Sequence, residues 1–246
     1  MDRRLGWPNC VNVRDLGGLL TTRGERTRWR AIVRSDGLDR LSDDGWRALE
    51  TYGIRTIVDL RNDVERDAEG YRCDLDVLHV PIEDDTDVDF IARWRPFSTP
   101  HYYRAALERW PQRVGAAVAA VARAGPGGIV VHCGAGRDRT GLLVMLVLAV
   151  ACVTHEEIAD DYELSARCLP PLDVDRLLRT PSKVNPRSRA DLEADLDIER
   201  RRRTAMSDRE ALLGVLRALD VHAYLLAAGL DGEEIADVER RLVERS

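Results

Sequence analysis

The chain has no surplus of basic residues. Its 246 residues hold 37 Lys and Arg against 43 Asp and Glu, a formal charge of −6, whereas gripping a nucleic-acid backbone needs a concentrated excess of cations. Nor is any apolar run long enough for a bilayer. The longest, LLVMLVLAVACV at 142–153, falls short of the roughly 20 residues a spanning helix needs and reads as a buried helix. No nucleic-acid partner and no integral membrane association are expected. The N-terminal stretch MDRRLGWPNCVNVRDL lacks the apolar core and small-residue cleavage site of a secretory signal. Five cysteines, an odd number without C-x-x-C spacing, suit neither a disulfide framework nor a zinc site, so a cytoplasmic location is the default. His79, His101, His155 and His222 show no metal-ligand spacing, and neither a metal nor another cofactor is expected. The patterns G-x4-G-K-[ST], G-x-G-x-x-G and G-x-S-x-G are all missing, which excludes three common phosphate or nucleophile loops.

What is present fits a globular α/β protein. Apolar residues make up 44% and charged residues 33%, against wholesale disorder. TRWRAIVRSD (27–36), GIRTIVDL (53–60), DVLHVPI (76–82) and GGIVVH (127–132) read as strands. Between them, LSDDGWRALETYG reads as a helix capped by Ser42 and closed by Gly53. A helical stretch from His101 to Ala124 is interrupted by Pro111, which predicts a kink or two helices. Strands alternating with helices predict a central, mostly parallel sheet flanked by helices.

Further on, Thr154 with Glu157 suggests a capping box for HEEIADDYELSARC, stopped by Pro170 and Pro171. TPSKVNPRSRA then reads as a loop and DLEADLDIERRRR as a charged helix. Arg200 to Arg203 follow Asp195, Asp197 and Glu199, which favours a self-paired, solvated face over an anion-binding patch. Ser207 with Glu210, and Asp231 with Glu234, announce two final amphipathic helices. The expected division is a core over 1–169, a variable lid or insertion over 170–206, and C-terminal helices over 207–246.

The chemistry concentrates in VVHCGAGRDRTGLLVML, 130–146. A cysteine is nucleophilic as thiolate, a form favoured by nearby cations and a helix N-terminus. Cys133 has both close in sequence. The glycines let successive N–H groups turn inward as an anion nest, and Arg139, six positions on, can hold two phosphoryl oxygens with its planar fork. Thr140 can donate its hydroxyl to the sulfur, and Asp138 on the rim can protonate a departing oxygen and then activate water. Asp138 also admits a plainer role as a loop brace. His132 reads as orienting the loop by hydrogen bonding.

HCGAGRDRT resembles the H-C-x5-R-[ST] signature of cysteine-dependent protein tyrosine phosphatases. Within them it is most similar to bacterial enzymes with an H-C-x-A-G-K-D-R-T-G loop, a branch acting on phosphotyrosine, phosphoserine or phosphothreonine, and phosphoinositides. NVRDLGGL (12–19), VRSDGLDRLSDDG (33–45), GIRTIVDLRNDVE (53–65), DYELS (161–165) and AYLLAAGL (223–230) resemble segments found in the same order in that family. The resemblance implies a phosphatase fold and a phosphorylated protein or peptide substrate, with phosphoinositide as an alternative and a catalytically silent phospho-ligand module as a third reading. It assigns Cys133 as the nucleophile forming a phosphocysteine and Arg139 as the phosphoryl binder. Gly134, Ala135, Gly136, Arg137 and Asp138 would supply backbone N–H groups. Arg137 stands where relatives usually carry lysine, the cation associated with phosphoinositide-tolerant pockets. The W-P-D tripeptide of many relatives is missing, so the general acid falls to Asp138, with Asp59 and the cluster Glu83, Asp84 and Asp85 as alternatives. Asp59, at a strand end, equally suits a brace or a ligand contact. In relatives the region matching 170–206 can form a helical lid.

Overall fold

In a computed structural model of the chain, residues 2–66, 71, 74–94, 99–169, 174–179 and 188–243 are described. The predicted stop at Pro170 and Pro171, and most of the TPSKVNPRSRA loop, lie outside them. Five strands, β1 (Arg14–Asp15), β2 (Ile32–Ser35), β3 (Ile54–Asp59), β4 (Asp76–His79) and β5 (Gly128–His132), form one sheet in the order β1-β2-β5-β3-β4. All neighbours are parallel except β1, which runs antiparallel to β2. The fold is the predicted one, with β2 and β4 shorter than the sequence pattern suggests.

The central strands are buried on both faces, and their side chains alternate between two cores as a pleated strand requires. Val33, Ile57 and Val130 pack with Trp7, Leu38 and Leu49, the last from α1 (Asp43–Tyr52). Ser42 caps α1 through the Gly45 N–H, and Gly53 ends it with φ +104°. Ile32, Val58, Ile129 and Val131 face the larger core. There α2 (Val88–Trp94), α3 (Pro100–Arg109) and α4 (Pro111–Arg123) gather, α3 and α4 being the two helices that Pro111 separates. The centre of that core is α5 (Asp138–Val150), apolar all round, which begins where the glycine-rich turn ends.

The rest of the chain closes over this core. In α6 (His155–Cys168) Thr154 accepts from the Glu157 N–H, but the reciprocal bond is not made, so the expected capping box is a single cap. After α7 (Val174–Arg179) comes α8 (Arg189–Ala205), where Arg200 pairs with Asp197 and Arg203 with Glu199, the self-pairing predicted for the arginine run. Among the described residues the C-terminal part holds three helices rather than two: α9 (Asp208–Ala218), α10 (Val221–Ala227) and α11 (Gly232–Leu242). Both predicted capping boxes form, at α9 and α11. The additional α10 is capped by Asp220, a lone cap without a partnering Glu and so without the signature that marked the others. Leu212, Leu225, Ile235 and Val238 belong to the same core as the sheet. Among the described residues no helix is long and apolar enough to cross a membrane.

Candidate active site

The parallel strands end together at His132, Asp59 and Ser35, the edge where ligands bind open α/β sheets. Cys133 to Arg137 make the turn from β5 into α5. Gly136 has φ +65°, and a Cβ there would lie 2.3 Å from the Ser35 carbonyl oxygen, so the turn can close against β2 only with glycine. No side chain caps α5. Among the described residues, none of the N–H groups of Gly134 to Asp138 donates to a backbone acceptor. An uncapped helix start and a run of amides without backbone acceptors suit an anion, as does the helix dipole.

Cys133 sits at the base of this turn, 3% exposed. Arg139 reaches back over the turn, its Nη2 4.0 Å from where a Cβ on Gly134 would stand. Glu65 grips the Arg139 fork, Oε1 lying 2.7 Å from Nη2 and Oε2 pairing with Nη1, and Glu83 Oε2 is 3.7 Å from Nε. Burial opposes the guanidinium charge, but Glu83 and Glu65 hold its pKa well above the ordinary value. Asp138 accepts from Arg137 Nε at 2.9 Å and Nη2 at 3.2 Å, and from the Tyr162 hydroxyl at 3.4 Å. Burial raises its pKa and Arg137 only partly offsets this, leaving it above the usual carboxylate range.

The other predicted residues separate. His132 is fully buried, with Nδ1 3.1 Å from the Cys133 carbonyl and Nε2 2.6 Å from the Tyr71 hydroxyl. Burial lowers its pKa, so the ring is neutral near pH 7. Asp59 is enclosed by Arg61, Arg66 and Tyr71. Burial would raise its pKa, but the Arg61 hydrogen bonds and the Arg61 charge hold it well below the normal range. It therefore has no proton to give near neutral pH. In the acidic cluster it is Glu83 that approaches Arg139, while Asp84 accepts from Thr86 and lies 3.3 Å from Arg113. Asp85 is half-buried.

The expected bond from Thr140 to the sulfur is not made. Its hydroxyl is buried in the first turn of α5 without a hydrogen-bond partner among the described residues, and the same holds for the Tyr102 hydroxyl. Tyr102 is near enough to Glu83, Asp138, Arg139 and Cys133 for their charges to act on it. Two buried orphan hydroxyls suit a polar guest, since each unmet group costs about 1–3 kcal/mol. Glu65, Tyr102, Tyr162, Asn12, Arg34, Asp161 and Tyr103, whose hydroxyl donates to the Asp138 carbonyl at 2.8 Å, were not singled out from sequence. Only Glu65 carried a local signal, its place three residues after Asn62, whose N–H donates to Glu65 Oε2 at 3.0 Å. Among the described residues no group of three or more His, Cys, Asp or Glu side chains is arranged to hold a metal ion.

The chain is similar to a provisionally named tyrosine-protein phosphatase of Cupriavidus necator, with 31% identity over 168 residues that cover 64% of this chain and 61% of the relative. It is also similar to a tyrosine-protein phosphatase of Nostoc commune, 29% identical over 56% of this chain and 49% of that protein. A triple specificity protein phosphatase, PtpB of Mycobacterium tuberculosis, is 28% identical over 67% of this chain and 70% of its own length. The chain thus spans less than two thirds of the first relative's length and about half of the second's. A family model described as the tyrosine phosphatase family matches residues 5–244. With nearly its whole length matched, the chain belongs to the tyrosine phosphatase family.

Proposed function

We propose that the protein is a metal-independent phosphomonoester hydrolase that dephosphorylates phosphotyrosine in proteins or peptides through a phosphocysteine intermediate. One observation carries this reading: Cys133 lies beneath amides without backbone partners, beside an arginine fork already fixed by Glu65. The phosphoryl group sits on the N–H groups of Gly134 to Asp138 and on Arg139, with the hydroxyls of Thr140 and Tyr102 within the same buried neighbourhood. The Cys133 thiolate attacks phosphorus, an S–P bond forms, and the bond to the tyrosyl oxygen breaks as Asp138 gives that oxygen its proton. Asp138, now a carboxylate, takes a proton from water, whose oxygen attacks phosphorus. The S–P bond breaks, releasing inorganic phosphate and the thiolate. A carboxyl whose pKa is raised is suited to the first of these steps.

Residues 1–169 form the catalytic core in this reading, the 207–246 helices buttress it, and α8, within the 170–206 segment, supplies the lid. Arg202 of α8 lies 4.8 Å from the Trp94 ring centroid, and His101 Nε2 is 2.9 Å from the Met206 carbonyl, contacts that tether α8 over α2 and α3. Peptide substrates are favoured over phosphoinositides because the Arg137 fork is turned onto Asp138 through Nε and Nη2 and not held open for a second phosphate. The name of the Mycobacterium relative makes phosphoserine and phosphothreonine worth assaying as well. A reducing cytoplasm is the compartment in which a thiolate nucleophile persists.

The test is phosphate release, with chelator present, from a phosphotyrosine peptide, a phosphoserine peptide and a soluble phosphoinositide, alongside Cys133→Ser. Metal-independent release from the tyrosine peptide, lost in the serine variant, is expected, because a hydroxyl lacking a strong base is a far weaker nucleophile. Turnover retained by that variant removes Cys133 from the mechanism. Binding of phosphopeptide without release favours the catalytically silent module.

A further inference from the structure

The turn's amides face the phosphate only if something holds its carbonyls the other way. A trans peptide is planar, and its C=O and N–H point in opposite directions. The Gly134 carbonyl accepts from the Gly37 N–H at 3.0 Å. Asn12 Nδ2 donates to the Ala135 carbonyl at 2.9 Å and the Gly136 carbonyl at 3.1 Å, and Arg34 Nη2 donates to Gly136 at 2.7 Å. Each bond fixes the partner N–H, those of Ala135, Gly136 and Arg137, on the opposite side.

Both clamps hang on one carboxylate. Asp161, fully buried in α6, accepts from Arg34 Nη1 at 2.7 Å, from Arg14 Nε at 2.9 Å and Nη2 at 3.2 Å, and from Arg3 Nη1 at 2.7 Å. Arg14 Nη1 in turn donates to Asn12 Oδ1 at 2.6 Å. One chain of contacts therefore runs from Asp161 through Arg34 to Gly136, and a second runs through Arg14 and Asn12 to Ala135 and Gly136. Arg14, Asn12, Arg34 and Asp161 are at most 1% exposed. Buried charges in such number are costly, and nothing in this cluster touches the reacting atoms.

We propose that Asn12 and Arg34, anchored by Asp161 and Arg14, are positioning residues that aim the loop amides at the phosphoryl group by holding the loop carbonyls from behind. The proposal rests on the phosphatase reading and extends it to residues outside the loop. It also accounts for an amide at position 12. Oδ1 serves Arg14 while Nδ2 serves two carbonyls, a division of labour that a carboxylate cannot reproduce.

Asn12→Asp is the discriminating change, since it keeps the acceptor for Arg14 and sets an oxygen against the two carbonyls. Arg34→Lys is the second variant, because an ammonium can stay on Asp161 but lacks the fork that also spans to Gly136. Each is measured with wild type for kcat and KM on a phosphotyrosine peptide, for inhibition by inorganic phosphate, and for Tm. The expected result is an inhibition constant for phosphate at least tenfold weaker and a kcat at least tenfold lower, in variants still folded at the assay temperature. Folded variants that bind phosphate within twofold of wild type and keep its kcat overturn the proposal, since a purely structural role shifts Tm alone. Should Asn12→Asp not fold, Arg34→Lys gives the same reading. A wild type that neither turns over nor binds phosphate overturns the phosphatase reading itself, a result distinct from an active wild type with indifferent variants.

Discussion

Arg139 and Glu65 form a two-pronged pair, one prong measuring 2.7 Å, which fixes the plane of the guanidinium before any substrate arrives. The Glu65 side chain is 29% exposed and that of Arg139 is 11% exposed, so the pair is screened less than a surface one. Two effects oppose each other: Glu65 lowers the local positive charge that draws phosphate, yet it spares the arginine the entropy of being oriented at the moment of binding. Orientation should win, because a misdirected fork forfeits the in-line geometry as well as affinity. Glu65→Ala is expected to lower kcat/KM by about 10- to 100-fold, equivalent to about 1.4 to 2.7 kcal/mol. Steady-state kinetics on a phosphotyrosine peptide decide it, and an unchanged or higher kcat/KM would mean that the carboxylate only competes with substrate.

Asp138 should shape the alkaline side of the pH profile. Its raised pKa means that the proton stays on to higher pH than on an ordinary carboxyl. Activity that needs the proton is present below that folded-state value and lost as pH climbs through it. Asp138→Asn should remove this descending limb and lower kcat by about 10²- to 10⁴-fold. The loss should shrink for an aryl phosphate whose leaving group needs no proton. A variant that keeps the wild-type limb would assign the limb, and the acid, to another group.

The sheet and the loop were legible in sequence because their signals are local: β-branched runs bounded by turns, Ser42 and Gly53 framing α1, and Cys133 and Arg139 within one turn. Glu65, Asn12, Arg34 and Asp161 were not, because each acts across the fold. Asp161 meets Arg14 from 147 positions away, and no periodicity links such residues. The three segments NVRDLGGL, VRSDGLDRLSDDG and DYELS supply Asn12 and Arg14, Arg34, and Asp161, so the resemblance marked the pieces of the cluster while hiding that they meet. Thr140 shows the reverse error. Its spacing from Cys133 suggested a bond to sulfur, but spacing along a turn does not fix where a hydroxyl points.

Asp161 should make the fold sensitive to acid. Burial alone would raise its pKa, yet Arg14, Arg34 and Arg3 hold it far below the usual carboxylate range. A carboxyl depressed in the folded state contributes stability that is complete above its unfolded value, about 3.9, and fades as pH falls through the folded value. Asp161→Asn removes that charge and leaves three guanidinium groups facing a neutral amide, a loss of about 3–5 kcal/mol near neutral pH. Urea denaturation should show a constant gap between variant and wild type from pH 7 to about 5, narrowing below about 4. A gap independent of pH down to acid denaturation would mean that packing, not charge, is what Asp161 provides.

Gly136 and Gly24 separate backbone strain from geometry at the site. Both have positive φ, +65° and +84°, a region that costs an L-residue about 1–2 kcal/mol. At Gly24 an added Cβ meets nothing within 4 Å, so Gly24→Ala should carry that strain alone and leave kcat/KM unchanged. At Gly136 the Cβ would also lie 2.3 Å from the Ser35 carbonyl oxygen and 2.6 Å from the Asp36 nitrogen, backbone atoms at the end of β2 that cannot rotate aside. Relief requires the turn to move off the sheet edge, which shifts the carbonyls held by Asn12 and Arg34 and with them the amides on the other side. Gly136→Ala should therefore lose at least about 100-fold in kcat/KM, a change that a displacement near 1 Å can produce, while remaining folded. Measuring Tm and kcat/KM for both variants checks this. Equal losses of activity at the two positions would reduce Gly136 to a turn residue like any other.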